Sequence, residues 1–498
     1  LVEKTKLVRG VVLDIRIVAY LMSRLVFFLG VLYVIPWVIS MYCEDRCTDI
    51  FLTCVCGCNF VAYLLRHYGR FDKFTQTISN REGMATAAFS WVLCASLAGM
   101  PYWMSGMLDL SSSFFEGMSA MTTTGATAID SLQVLPRSIL FWRGLTHWLG
   151  GLGIIVIFIS LLPRMADGAV HLFYAETTGF SEDKLLPRLK STAQILFFIY
   201  VSLTATESIL LYLCGMDAFD AINHAMATIA TAGFSTHDSS LSYFDSPLIE
   251  LVMFVFMILA AANYTLYYRM YYKGWRSLWQ DEEFRSFLLL VLSTACFVST
   301  VIFIQTPESF FQSVRHGFFM VASFASTTGI VSTDYEQWPT IAKLALVILY
   351  FTGGCAGSTS GGIKISRFVV LLRMTWVELK RVLHPKMLFT VKFGGKTLPN
   401  PVLASISRFF FLYIISVVVL STLFAATGIS LTEAVFGVLA CISSCGSAFG
   451  GIGVEGNFSH ISAMGKVILS FAMLLGRLEL YTVLALFRKE FWHINSRW

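Results

Sequence analysis

Four triplets of a hydroxyl residue, any residue and a glycine recur along this chain: Thr123-Thr124-Gly125, Thr231-Ala232-Gly233, Thr327-Thr328-Gly329 and Ser444-Cys445-Gly446. Their glycines are about 100 residues apart, and six positions before each stands a small residue, Ser119, Ala227, Ser323 or Ala440. Ten positions before it stands Phe115, Phe319 or Phe436, with Asn223 as the exception. Glycine lets a loop adopt backbone angles that aim carbonyls inward, which a Cβ resists. Backbone carbonyls and a threonine hydroxyl can together replace the hydration shell of a cation. One such triplet carries no information, because ordinary turns between helices contain many. Four with shared upstream residues point to four loops arranged around one axis.

Such loops need a scaffold, and the composition names its class. Of 498 residues, 56% are hydrophobic and 13% charged, with a mean hydropathy of +0.70. A water-soluble globule cannot hide that much apolar surface. Apolar runs long enough to cross the roughly 30 Å hydrocarbon core recur along the whole chain. They predict about ten crossings, near 18–42, 49–66, 86–107, 138–163, 193–215, 247–271, 286–305, 340–374, 403–427 and 462–487. Shorter apolar stretches near 112–123, 218–231, 311–327 and 431–444 suit re-entrant helices. A helix that enters from outside and stops mid-membrane turns the partial negative charge of its C-terminus toward the loop that follows.

The expected fold is an all-α polytopic membrane protein. It has four repeats of membrane helix, pore helix and membrane helix around a central pore, preceded by two extra crossings. The expected divisions are a two-helix segment at 1–70 and repeats at 71–185, 186–280, 281–385 and 386–498, the third with an interrupted second helix. Net charge is +5, and basic residues concentrate in 1–16, 66–81, 164–190, 269–285, 373–396 and 488–497. Gly215–Asp245 and Gly428–Ile461 contain no Lys or Arg. The positive-inside rule then places both termini in the cytoplasm and the short helices on the outer side. The chain opens at Leu1 rather than Met, so its natural start is expected further upstream. The first apolar stretch is long enough to stay as a span rather than be cleaved.

The loops Thr122-Thr123-Thr124-Gly125-Ala126-Thr127 and Thr231-Ala232-Gly233-Phe234-Ser235-Thr236 resemble those of the Trk/Ktr/HKT superfamily of cation transporters. So do Trp142-Arg143-Gly144, Gly150-Gly151-Leu152-Gly153 and the run from Gly353 to Arg367. The resemblance covers nearly the whole chain, and the two extra crossings make it more similar to the TrkH branch than to the shorter KtrB branch. It implies potassium uptake across a bacterial inner membrane, with K+ bound at the twelve triplet residues. It also implies a homodimer with one pore per subunit and a cytosolic TrkA-type regulatory subunit, which alone would carry nucleotide. Glycine at Gly125, Gly233, Gly329 and Gly446 goes with potassium in that superfamily, whereas serine at the first goes with sodium in some plant members. Cys445 departs from the Thr-rich pattern and leaves the coordination in the fourth loop open.

The eighth crossing is interrupted by Gly353-Gly354-Cys355-Ala356-Gly357-Ser358-Thr359-Ser360-Gly361-Gly362. Each glycine costs about 1 kcal/mol in a helix, and unwound backbone at membrane depth must be buried in protein or line a cavity. A phosphate-binding loop is the competing reading, but Ile363 separates Gly362 from Lys364 and breaks its spacing. The resemblance implies a plug below the filter, with gate residues Gly353, Gly354, Gly357, Ser358, Thr359, Gly361 and Gly362. It also places Arg477, inside the last apolar run, in the pore near that plug. A pair with Glu479 is the alternative, though residues two apart do not share a helix face.

Glu116, Asp220 and Glu433 lie near the starts of three short helices, where they either cap the helix or concentrate cations at the mouth. Arg143 and His147 are expected to stabilise packing or the outer vestibule, and Asn263 to bond between helices. Eleven cysteines suggest packing rather than a disulfide framework or a metal site at Cys54-Val-Cys56-Gly-Cys58, with a Cys43–Cys47 pair possible. Gly451-Ile452-Gly453-Val454-Glu455-Gly456 follows a loop and not a strand, so it is no dinucleotide fingerprint. No enzyme motif offers itself, and nothing suggests nucleic acid. The alternatives kept are a sodium-permeable or H+/Na+-coupled symporter on the same scaffold, and a secondary transporter with inverted repeats. The basic stretch Arg373–Lys396 is either a membrane anchor or a docking face for the cytosolic partner.

Overall fold

A computed structural model describes residues 13–69, 79–153, 189–387, 389–453 and 456–492. The basic link expected at 164–190 and the inner half of the 138–163 crossing lie almost wholly outside these residues. So do most of the 1–16 and 66–81 segments, the tail from 493, and Val454-Glu455 of the glycine-rich motif.

Among the described residues the regular structure is helical, apart from a hairpin of two-residue strands β1 (Lys392–Phe393) and β2 (Lys396–Thr397) turned by Gly394 and Gly395 at φ 59° and 76°. Helices α1 (Ile15–Leu32) and α2 (Val34–Tyr42) run on as one span and pack with α3 (Thr48–Tyr68). Cys54 and Cys58, one turn apart, are buried in the core there, and Cys43 and Cys47 are both free thiols.

Four units follow, each with a middle helix of 12 or 16 residues that ends in one of the glycine-containing loops. The first comprises α4 (Asn80–Met104), α5 (Leu110–Met121) and α6 (Arg137–Gly151). The second comprises α7 (Leu189–Leu213), α8 (Ala218–Ile229) and α9 (Pro247–Ala261), followed by α10 (Tyr264–Lys273) and α11 (Arg276–Gln280). The third comprises α12 (Glu282–Gln305), α13 (Phe310–Ala325), α14 (Thr340–Thr352) and α15 (Ile365–Leu383). The fourth comprises α16 (Asn400–Ala425), α17 (Leu431–Ile442), α18 (Ala463–Arg477) and α19 (Leu480–Ala485), with a terminal turn α20 (Lys489–Trp492). Among the described residues six helices are long and apolar enough to cross a membrane, or seven if α9 and α10 count as one.

The short helices begin where a side chain satisfies the free N–H groups of their first turn. Asp109 accepts from Ser111 and Ser112, Asp217 from Phe219, Ser309 from Gln312 and Ser430 from Glu433. Three of the four have 12 residues, a length of about 18 Å that stops well inside the membrane. Small residues let them approach their neighbours closely: a Cβ on Gly99 or Gly117 would collide with the backbone of the facing helix.

Two expected spans break. The 247–271 run turns by 91° between α9 and α10. Asn263, expected to bond between helices, instead caps α10, its Oδ1 accepting from Thr265 N at 2.9 Å and Thr265 Oγ1 at 2.7 Å. The 462–487 run breaks at Glu479, which takes φ 56° and pairs with Arg367 on α15 at 2.6 Å. The awkward pairing of Arg477 with Glu479 is therefore not made, because each has a partner elsewhere.

Candidate functional site

All four short helices end in the same way. The residue after each C-cap, Thr123, Thr231, Thr327 or Ser444, takes φ 57°, 51°, 57° or 56°. The next N–H then reaches back to the small residue six before the glycine: Thr124 to Ser119 at 2.9 Å, Ala232 to Ala227 at 2.9 Å, Thr328 to Ser323 at 2.8 Å and Cys445 to Ala440 at 3.0 Å. This is the Schellman helix end, which usually places glycine in the left-handed position. Here hydroxyl residues occupy it, three of them β-branched, at a cost of about 1–3 kcal/mol each. The surrounding packing holds that conformation four times over.

The glycines that follow bring the loops together as a closed ring. A Cβ on Gly125 would stand 2.5 Å from the nitrogen of Gly233, and one on Gly233 3.2 Å from the Thr328 carbonyl. A Cβ on Gly329 would overlap the carbonyl oxygen of Cys445, and one on Gly446 that of Thr124. Each loop thus touches the next, and the fourth touches the first. Cys445 turns its thiol into the core and leaves its carbonyl at the ring, as Thr124 does. Thr123 Oγ1 and Ser444 Oγ are buried with no hydrogen-bond partner. Thr327 Oγ1 accepts from the N–H of Gly361 at 2.8 Å, while Thr231 Oγ1 donates to the Ala230 carbonyl at 2.7 Å.

Behind the ring lies a buried ion pair. Glu116 sits in the middle of α5, fully buried, and Arg143 of α6 meets it at 2.9 Å. Glu116 also accepts from Thr127 Oγ1 and the Ala128 N–H, so it is neither a cap nor a mouth acid. Arg143 reaches across to the second loop, donating to the Ser235 carbonyl at 3.1 Å and lying 3.7 Å over the Phe234 ring. His147 stacks on the same Phe234 ring, with centroids 3.7 Å apart. Asp220 clamps the second loop from its own helix through Thr236 and His237, and Glu433 completes a capping box with Ser430.

Outside the ring a vestibule of about 390 Å³ is lined by Asp130, Asp238 and Asp334 and, among the described residues, by no Lys or Arg. Each aspartate stands five residues after its glycine, Gly125, Gly233 or Gly329; the fourth loop has Gly451 there. The five-residue spacing is visible in the sequence, and the fold gives it meaning by bringing the three aspartates to one vestibule. Hydrogen bonds from Ser459 and Asn457 hold the Asp130 carboxyl below its usual range.

Inside the ring the glycine-rich run fills the break between α14 and α15. Besides the Gly361–Thr327 bond, Thr359 Oγ1 donates to the carbonyls of Ile229 and Ala260 at 3.1 and 3.2 Å. Glu283 Oε1 accepts the Ala356 N–H at 2.7 Å, an anchor on α12 that no spacing in the sequence signalled. Arg477 donates to the carbonyls of Gly150 at 2.5 Å, Gly151 at 2.8 Å and Thr359 at 3.1 Å. It so joins α18, the C-terminal end of α6 and the run, where a cation complements the partial negative charge of the helix end. Lys364 is 4% exposed and donates to Ser360. Gly357, Ser358, Gly361, Gly362, Lys364 and Arg477 line one cavity beneath the ring; Gly353 and Gly354 pack behind it against Gly361 and Ser360.

Four short helices ending in a closed ring of loops, inside a helical scaffold with two preceding spans, define a membrane protein of the four-repeat pore-loop class. The chain belongs to the TrkH family of cation transport proteins, whose family model matches residues 58–494. It is 37% identical to the Trk system potassium uptake protein TrkH of Escherichia coli K12 over 422 residues, covering 83% of this chain and 86% of that one. It is 34% identical to TrkG of the same organism over 486 residues, covering 96% and 99%. Its fold matches the crystal structure of the potassium transporter TrkH from Vibrio parahaemolyticus, with a TM-score of 0.87 and 32% identity. That match covers 96% of this chain and 100% of that one.

Proposed function

We propose that this protein is the membrane subunit of a potassium uptake system, conducting K+ through the ring and gated by the glycine-rich run. The closed ring carries the proposal, because four contiguous loops offer carbonyls and hydroxyls to one dehydrated cation on a shared axis. The carbonyls of Thr124, Thr328, Gly329 and Cys445 lie against the neighbouring loops' glycines. The unpartnered hydroxyls of Thr123 and Ser444 add oxygen ligands on the inner side. Glycine in all four loops, and relatives named for potassium uptake, favour K+ over Na+. The vestibule aspartates raise the local cation concentration before entry.

The run from Gly353 to Gly362 acts as the gate, held shut by its bond to Thr327 and by Arg477. A cation on the exit route opposes K+ until the run and Arg477 separate. The repeats divide at residues 71, 186, 281 and 386, both termini lie in the cytoplasm of a bacterial cell, and the chain works as a homodimer in the inner membrane. A cytosolic TrkA-type subunit carries the regulatory nucleotide. Resemblance supports these last assignments, together with the placement of basic residues.

Rubidium uptake into liposomes holding this protein alone tests the reading, using a variant that lacks part of Gly354–Gly362 so that a shut gate cannot mask conduction. Uptake blocked by potassium and little affected by sodium is the expected result. A folded sample that takes up no rubidium would overturn a self-sufficient pore.

A further inference from the structure

The 91° break between α9 and α10 places two different surfaces at one joint. Its inner side holds the glycine-rich run. The Ala261 carbonyl accepts the Cys355 N–H at 2.9 Å, and the Tyr264 N–H donates to the Gly357 carbonyl at 3.2 Å. Asn263, which caps α10, sits so close that a Cβ on Gly357 would lie 3.1 Å from its Oδ1. A tilt of α10 therefore pulls on the run directly.

The outer side of the same segment has a different chemistry. Tyr271, Tyr272 and Trp275 are 83%, 68% and 65% exposed. Arg269, Lys273 and Arg276 are exposed among them with no ion partner among the described residues, and the acids that follow are engaged elsewhere, Asp281 capping α12, Glu282 paired with Arg373 and Glu283 accepting the Ala356 N–H. α9 has 15 residues, and α10 leaves it at 91°, so the pair does not continue straight through the bilayer and α10 is turned toward the membrane plane. Tyrosine and tryptophan settle at the headgroup level of a bilayer, and uncompensated Arg and Lys attract anionic phosphates there. A water-facing loop would not need large aromatic rings, and a buried interface would not leave three cations unpaired.

We propose that α10 and α11 lie on the cytosolic leaflet and bind anionic lipid headgroups, and that this contact sets the position of the glycine-rich run. The second half rests on the gate reading above. Anionic lipid holding α10 flat keeps the joint, and with it the Gly357 contact, in one geometry; releasing it frees the run.

The test compares the full chain with its Arg269→Gln/Lys273→Gln/Arg276→Gln variant. Native mass spectrometry counts phosphatidylglycerol retained by detergent-purified protein. Rubidium flux is measured in phosphatidylcholine vesicles with and without phosphatidylglycerol. The expected result is fewer lipids retained by the variant, and a several-fold lipid dependence of flux in the parent that the variant lacks. Equal retention in the two proteins overturns the lipid site, as does loss of dimer or of cytosolic-subunit binding with retention unchanged. Reduced retention with an unaltered lipid dependence of flux overturns the coupling. Reduced retention with no flux in any vesicle from either the parent or the variant lacking part of Gly354–Gly362 sinks the pore reading, and the coupling with it, but leaves the headgroup site standing.

Discussion

The backbone N–H of Gly361 donates to Thr327 Oγ1 at 2.8 Å, so the glycine-rich run is bonded to the third loop of the ring itself. The two are 34 residues apart in sequence and belong to the same repeat. Thr327 holds φ 57°, which presents its hydroxyl on the inner side of the ring. In the proposed reading the gate is shut against a filter ligand rather than against a distant constriction.

In the same proposed reading Arg477 reinforces that closure, through its bonds to three carbonyls on two other elements. Arg477→Ala should raise basal rubidium flux several-fold in the absence of any partner, because α6 and the run lose their common tether. Arg477→Lys keeps the charge but not the fork and should fall between the two. Unchanged or lower flux from a well-folded alanine variant would count against the gate role.

The ring glycines are not equivalent. Gly329 and Gly446 take φ 71° and 75°, and a Cβ on either would overlap a neighbouring loop's carbonyl oxygen. Gly233 has no left-handed φ, and its Cβ would meet neighbours at 3.2 Å or more. Alanine at Gly329 or Gly446 should therefore abolish selective flux, while Gly233→Ala should reduce it by a smaller factor. Competition of sodium with rubidium uptake ranks the three, and equal tolerance would argue against the ring as the selective element.

Removing one member of the Glu116–Arg143 pair leaves a buried charge alone, a loss of about 3–5 kcal/mol. Arg143→Leu should lower the thermal midpoint of the detergent-solubilised protein by a corresponding margin. Adding Glu116→Leu to it should recover part of the loss, which a double-mutant cycle measures. Strict additivity would show that the pair does not act as a unit.

Asp130 at the vestibule is held below its ordinary range by Ser459 and Asn457. A carboxyl depressed in this way contributes stability that is fully present above its unfolded value of about 4, and loses it as pH falls through the lower folded value. Titration of Asp130 should therefore leave flux flat across the neutral range and reduce it only under strong external acid. At neutral pH, Asp130→Asn should raise the half-saturating rubidium concentration several-fold with little change in maximal rate. An unchanged half-saturation point would remove this residue from the entry path.

The amino-acid sequence by itself determined the membrane class, the four repeats and the residues that turn each short helix into its loop. Those are matters of apolar run length and of bonds between residues a few positions apart. The six-residue spacing from Ser119 to Gly125, for example, is the reach of a Schellman helix end plus one residue. The aspartates five residues past three glycines were equally visible, though without a vestibule they had no meaning. Only the tertiary structure decided that the Thr124 carbonyl lies against Gly446, that Glu116 faces Arg143 rather than the outer mouth, and that Arg477 is held by Gly150, Gly151 and Thr359. It also decided that α9 turns at Asn263, where hydropathy alone reads straight through. These relationships join residues tens to hundreds of positions apart, and the packing of whole helices, not any local periodicity, sets which of them meet.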